Sequence, residues 1–182
     1  DSFSAGNDIQ DFISLGSQSA GPGDMPVFRF LKSLADAAPT RAFWQVAPHF
    51  VRDAHGLDDW TRGMVQATVA SLRAGRGVII VVPDIRDMVR VRDALGAVIG
   101  LGAIAELHSD LGTAARYRNY LAIIRGQAKV VIGTRPAVYA PVSDLGLICL
   151  WDDGDDLHAE PHAPYPHARD VVALRAGSEQ SA

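Results

Sequence analysis

Lys129–Asp156 reads KVVIGTRPAVYAPVSDLGLICLWDDGDD. Two apolar runs, Lys129–Gly133 and Leu145–Trp151, bracket a turn-rich connection, and the second ends in a burst of carboxylates. Continuous β-branched and aliphatic runs of this length read as strands buried on both faces. In open α/β sheets, ligands and reactive groups gather beyond the carboxyl ends of the strands. Gly133–Arg135 and Trp151–Asp156 both fall at such ends.

Working outward, the same grammar repeats. Ala42–Ala47 (AFWQVA) predicts a first strand, Gly77–Val82 (GVIIVV) a central one, and Ala103–Leu107 a third. Helical periodicity predicts helices over Val27–Ala37, Asp59–Ala74, Asp84–Val98, Gly112–Arg125 and Pro166–Ala176. In Gly112–Arg125 the residues predicted to face inward are Ala114, Tyr117, Leu121 and Ile124. Strand and helix alternate with short links, which predicts a mostly parallel sheet of about five strands with helices on both faces. Residues 1–24, rich in Ser, Gly, Asp and Gln, read as a flexible leader with a short apolar patch at Phe12, Ile13 and Leu15. Residues 25–176 form the folded lobe and 177–182 a frayed tail. A first residue that is not Met points to a processed or excised piece.

The chain has 182 residues, 48% of them apolar and 21% charged, enough for one domain with a proper core. No apolar run is long enough to span a bilayer, and no signal-peptide pattern is present. The single Cys149 sits within an apolar strand and reads as a small hydrophobe, which fits a reducing cytoplasm. Net charge is −4, yet residues 41–135 hold thirteen basic and eight acidic side chains. A basic face on an acidic chain is one reading of that imbalance, and scattered solvated arginines the other.

Leu107–Pro141 (LHSDLGTAARYRNYLAIIRGQAKVVIGTRPAVYAP), then DLGLICL, then PHARDVVALRA at Pro166–Ala176, together resemble the first motor lobe of the primosomal replication-restart helicases, the PriA family. Val82-Pro83-Asp84-Ile85 is similar to that family's VPEI segment. The resemblance covers roughly Val27–Ala176. It implies a RecA-like lobe of a nucleoid-associated, cytoplasmic protein. The implied partners are branched or single-stranded DNA at stalled forks and other primosome and replication proteins, with no membrane partner. In active members the implied cofactors are ATP and Mg²⁺, with zinc in a cysteine-rich segment absent here; none is expected in this segment.

Two departures stand out. Active members carry a Gly-Lys-Thr phosphate loop after the first strand, where backbone N–H groups and the lysine hold phosphates. Here Pro48, His49, Phe50, Val51 and Arg52 follow that strand, and the only lysines are Lys32 and Lys129. The family then ends its fifth strand with Asp-Glu-Glu-His, the Asp for Mg²⁺ and the Glu for the attacking water. Aligned without a gap, those positions are Trp151, Asp152, Asp153 and Gly154, and an indole ligates no metal. The expectation is a lobe without ATP hydrolysis or unwinding that contributes DNA binding and primosome assembly.

Gly133, Thr134 and Arg135 preserve the family's Gly-Thr-Arg turn, which grips a DNA backbone in lobes of this type. Pro136 replaces the Ser that usually follows. A packing turn is the alternative reading. Arg86 and Arg116 are further candidates for phosphate contacts, against the alternative of solvated helix faces. Two other functions fit less of the sequence. One is an active ATP-dependent 3′–5′ DNA helicase with a divergent ATP site. The other is an unrelated metal-binding α/β enzyme using Asp152, Asp153, Asp155, Asp156, His158, Glu160, His162 and His167, although that spacing fits no EF-hand.

Overall fold

The computed structural model describes residues 25–46, 58–162 and 164–182. The expected leader and the Pro48–Arg52 stretch lie outside them. Five α-helices surround a sheet: α1 (Met25–Ala35), α2 (Asp59–Arg73), α3 (Ile85–Ile99), α4 (Thr113–Ile124) and α5 (Ala168–Ser178). The strands are β1 (Gly77–Val81), β2 (Ile104–Leu107), β3 (Val130–Gly133) and β4 (Leu145–Leu150). Their order is β2-β3-β1-β4, and every pairing is parallel. This is an α/β parallel sheet consistent with the RecA-like fold, with four strands where about five were expected.

Ala42–Val46 makes the difference. Its β-formers predict a strand, but strand propensity is realised only against a partner edge. These residues belong to no ladder; Phe43 is 83% exposed and Trp44 44%. Trp44 instead lies across α2, where its ring leaves room only for the missing side chain of Gly63.

Alternation along β1 builds two cores. Val78, Ile80 and Val82 face α1, α2 and α3 with Met64, Val65, Met88, Val91 and Leu95. Ile79 and Val81 face the other side with Ile123, Val138, Leu145 and Val171. Every residue of β1 is buried, and complete burial of each aliphatic side chain contributes about 1.5–3 kcal/mol. Asp84 starts α3 by accepting a hydrogen bond from the Asp87 N–H at 2.9 Å. That bond, before the Arg86 guanidinium, holds the Asp84 carboxyl below its usual value.

Two sequence expectations change. The stripe Ala114, Tyr117, Leu121 and Ile124 does not face the core: Tyr117 is 64% exposed and Ile124 52%. α4 turns Ile123 and Asn119 inward instead, and Asn119 donates to the Glu106 carbonyl at 2.9 Å. An equally apolar alternative face, with one polar residue that finds a carbonyl, outcompetes the all-apolar stripe. The segment 177–182 is also tied down. Ser181 is 1% exposed, and Ala182 makes both bonds of one parallel rung: its N–H to the Gly146 carbonyl and its carbonyl to the Ile148 N–H, each at 2.9 Å.

Candidate functional site

The carboxyl ends of the four strands form one edge of the molecule. In sheet order they carry the His108–Leu111 loop, the Thr134–Arg135 turn, Asp84–Arg86, and Trp151 with the acidic loop behind it. All the sequence-predicted site residues lie along this edge.

Trp151 follows β4 and donates its backbone N–H to the Val81 carbonyl at 2.9 Å, prolonging the ladder. Its ring stacks on Trp60, in the first turn of α2, with centroids 4.3 Å apart and planes 13° from parallel. The Arg90 guanidinium sits 5.9 Å from the Trp60 centroid, a cation–π arrangement, and pairs with Asp58 and Asp87. The Trp151 side chain lies by the Asp87 carboxylate and favours its charged form. Burial, then the nearby charge of Asp84, nonetheless raises the Asp87 carboxyl, against the pull of Arg90, Arg86 and this indole. The position that the sequence reading sets against a magnesium-binding acid is therefore one ring of an aromatic pair.

The neighbouring acids point elsewhere. Asp152 is exposed and adopts a left-handed backbone (φ 49°), turning the chain away from β4. Asp153 pairs with Arg169 at 3.1 Å, and Asp155 caps the following turn by accepting from the Leu157 N–H. His158 is fully buried. Its Nε2 donates to the Trp151 carbonyl at 2.9 Å, while its Nδ1 has no partner among the described residues. His167 caps α5 by accepting from the Arg169 N–H at 3.1 Å. Among the described residues, no group of three or more His, Cys, Asp or Glu converges as metal ligands would. Neither lysine reaches this edge: Lys129 bonds the Gly75 carbonyl at the opposite end of the strands, and Lys32 pairs with Asp36 on α1.

At the Gly-Thr-Arg turn, Gly133 is required by packing. A Cβ there would sit 1.8 Å from the Leu107 carbonyl oxygen. Arg135 is engaged internally: it pairs with Glu160 at 2.8 Å and donates to the Ala159 carbonyl at 2.6 Å. A cleft of about 290 Å³ opens beside it, lined by Pro136, Val138, Tyr139, Glu160, Tyr165 and Pro166. Arg116 donates to the Ser109 carbonyl at 3.0 Å, with longer contacts to His108 and Leu111. The Arg86 side chain is 92% exposed, and its one hydrogen-bonding partner among the described residues is Asp84, at 3.2 Å. A larger cleft, about 500 Å³, lies at the amino ends of β1 and β4; its Arg76 is spent on the Leu145 and Gln180 carbonyls.

Sequence reasoning missed Trp60 and Asp87 as parts of this edge, and named His158 and Glu160 only as candidate metal ligands, not as structural anchors. A tryptophan at a helix start beside two aspartates was a visible signal for Trp60. His158 and Glu160 sit in a segment whose composition reads as solvated loop, and nothing local marks them as anchors.

No family model matches the chain. Curated relatives do. The chain is 45% identical over 148 residues to the probable replication restart protein PriA of Mycobacterium tuberculosis (strain CDC 1551 / Oshkosh), a match that covers 81% of the chain and 21% of that relative. It is 43% identical over 148 residues to the Mycobacterium leprae protein of the same description, covering 81% of the chain and 22% of the relative. The replication restart protein PriA of Synechocystis is 32% identical over 129 residues, or 69% of the chain and 15% of the relative. The chain thus spans about a fifth of the length of the curated relatives it matches first.

Proposed function

The chain belongs, as a segment, to the replication restart PriA family, and from that premise we propose that it is a motor-type lobe that binds DNA without hydrolysing ATP. Its role is to help hold a replication restart protein, and the primosome proteins it recruits, on fork-like or single-stranded DNA. The observation that carries this reading is the Trp60–Trp151 stack. Hydrolysis requires a carboxylate-held Mg²⁺ and a positioned water at the end of this strand. The strand end holds an indole whose only polar atom is an N–H donor, which cannot ligate a metal. Asp152 and Asp153, the nearest substitutes, turn to solvent and to Arg169. ATP and Mg²⁺ do not fit the residues present.

DNA binding rests on the row Arg86, Arg116 and the Gly133–Arg135 turn along one edge. Arg86 is the freest cation of the set. Arg116 and Arg135 brace loops, and Thr134 offers a half-buried hydroxyl at the turn. Phosphate contacts of this kind give affinity without sequence preference and fall with salt.

The test uses the chain with Mg²⁺, an ATP analogue carrying a fluorophore, and a forked oligonucleotide. The expected result is no saturable nucleotide binding, no ATP turnover, and DNA binding that weakens with salt and with Arg86→Ala. DNA-stimulated turnover that disappears in Asp152→Ala would establish instead an active helicase with a divergent ATP site.

A further inference from the structure

Between Asp110 and Asp144 the chain holds no acidic residue, five basic ones and three of its four tyrosines. α4 collects most of these on its solvent side. Tyr117 and Tyr120 are 64% and 42% exposed, with Ile124 beside them, and Arg116, Arg118 and Arg125 are exposed too. Three residues apart on the helix, the two tyrosines open to one side. Arg118 and Arg125 stand within about 20° of each other on one flank of the rings, about 10.5 Å apart along the axis, and Arg116 stands on the other flank. Among the described residues, none of the three arginines has a carboxylate partner, and Arg116 bonds only carbonyls. Exposed rings between unneutralised cations are what holds a single strand without sequence preference: bases stack on the rings and phosphates meet the guanidinium groups. An acidic protein segment would satisfy the charges but needs an apolar groove to fill, and α4 is a single convex helix. A second copy of α4 would bring like charges together.

We propose, resting on the DNA-binding role given above, that the outer face of α4 binds single-stranded nucleic acid. Tyr117 and Tyr120 stack on bases, and Arg118 and Arg125 pair with phosphates along one flank. Arg116 joins this face to the strand-end row. It bonds the Ser109 carbonyl in the loop at that edge, so a strand that leaves the edge over Arg116 meets Tyr117 and Tyr120 next. From residue 116 to residue 125 the helix rises about 14 Å, the length of about four nucleotides of a stacked strand at about 3.4 Å each. The stripe predicted to face the core thus faces a ligand whose bases cover its rings.

The experiment follows the full chain and an end-labelled oligothymidylate of about 16 nucleotides by anisotropy. Tyr117→Ala with Tyr120→Ala should weaken binding by roughly tenfold or more, while Tyr117→Phe with Tyr120→Phe, which keeps the rings, should bind as the parent does. Arg118→Ala with Arg125→Ala should lower the log–log salt slope by about 1.4, two phosphate contacts at about 0.7 each. Bromodeoxyuridine placed in the strand should crosslink on irradiation to residues 113–125 of the parent. All four substituted positions are exposed, and an unchanged circular dichroism spectrum checks that the helix persists. A strand that the parent binds and Arg86→Ala weakens, but that ignores the alanine variants of α4, would overturn the assignment and leave the DNA-binding role standing. No binding by the parent at all would overturn both. Crosslinks confined to other residues would overturn the assignment whatever the variants do. Polyglutamate that displaces the strand at equal charge would overturn it in favour of an acidic protein partner.

Discussion

Restoring the acid at position 151 is the sharpest test of how this edge is built. In Trp151→Asp the partly buried indole is lost, which removes about 2–3 kcal/mol of apolar burial if half of its surface is covered. The stack on Trp60 contributes about 1 kcal/mol more. A new carboxylate would also lie near Asp87, whose carboxyl is already raised by burial and by Asp84. The sum is about 4 kcal/mol, a large share of the roughly 5–15 kcal/mol that holds a domain together. At about 2–4 °C per kcal/mol the melting temperature should drop by roughly 8–16 °C, read by calorimetry or by circular dichroism. Folding and ATPase assays are run together, with and without Mg²⁺. A variant as stable as the parent would refute the packing argument. A variant stabilised by Mg²⁺, or one that turns over ATP, would show that the site needs only its acid.

A double-mutant cycle with Trp60→Ala and Trp151→Ala should return a coupling of about 0.5–1.5 kcal/mol; additive losses would mean the rings merely share a core. Asp84→Ala should cost about 1 kcal/mol at pH 7 by denaturant unfolding, through loss of the α3 cap. Because the folded Asp84 carboxyl lies below its ordinary value, that stabilisation is complete above pH 3.8 and is lost as pH falls through the lowered folded value, so the variant and parent should converge in strong acid. Arg135→Ala should lower stability by about 1–3 kcal/mol and raise proteolysis at residues 157–160, because Glu160 and the Ala159 carbonyl lose their donor. Arg86→Ala should leave stability within about 0.5 kcal/mol yet reduce the salt dependence of single-strand binding by about 0.7 in log–log slope; an unchanged slope removes Arg86 from the interface.

The strands were legible because each of β1, β3 and β4 is an apolar run bounded by Gly, Pro or Asp, and burial on both faces leaves that mark in any context. The start of α3 was legible too, within a residue of Asp84, because the bond that caps it to the Asp87 N–H is local. Ala42–Val46 misled because a strand is a relation between two segments, and its composition says nothing about whether an edge is free. α4 misled because both of its faces hold aliphatic groups, and the Asn119 bond to the Glu106 carbonyl that decides its rotation spans the helix and β2. At the site, Trp151 was visible as a substitution in register. That Trp60 would stack on it depends on bringing α2 and β4 together. His158 is the extreme case, a buried anchor in a segment whose composition is acidic and polar.

The paired indoles also give the molecule an optical signature. Of its three tryptophans, Trp60 and Trp151 are locked ring on ring and Trp44 is 44% exposed. Transition dipoles held 4.3 Å apart at a fixed angle couple, so the folded chain should carry an exciton couplet in its ultraviolet circular dichroism, while the solvent-facing Trp44 supplies a red-shifted emission. The couplet reports the strand end alone and the emission reports the extended segment outside the sheet. Two regions of one lobe can thus be followed separately, in the same cuvette, without attaching a dye.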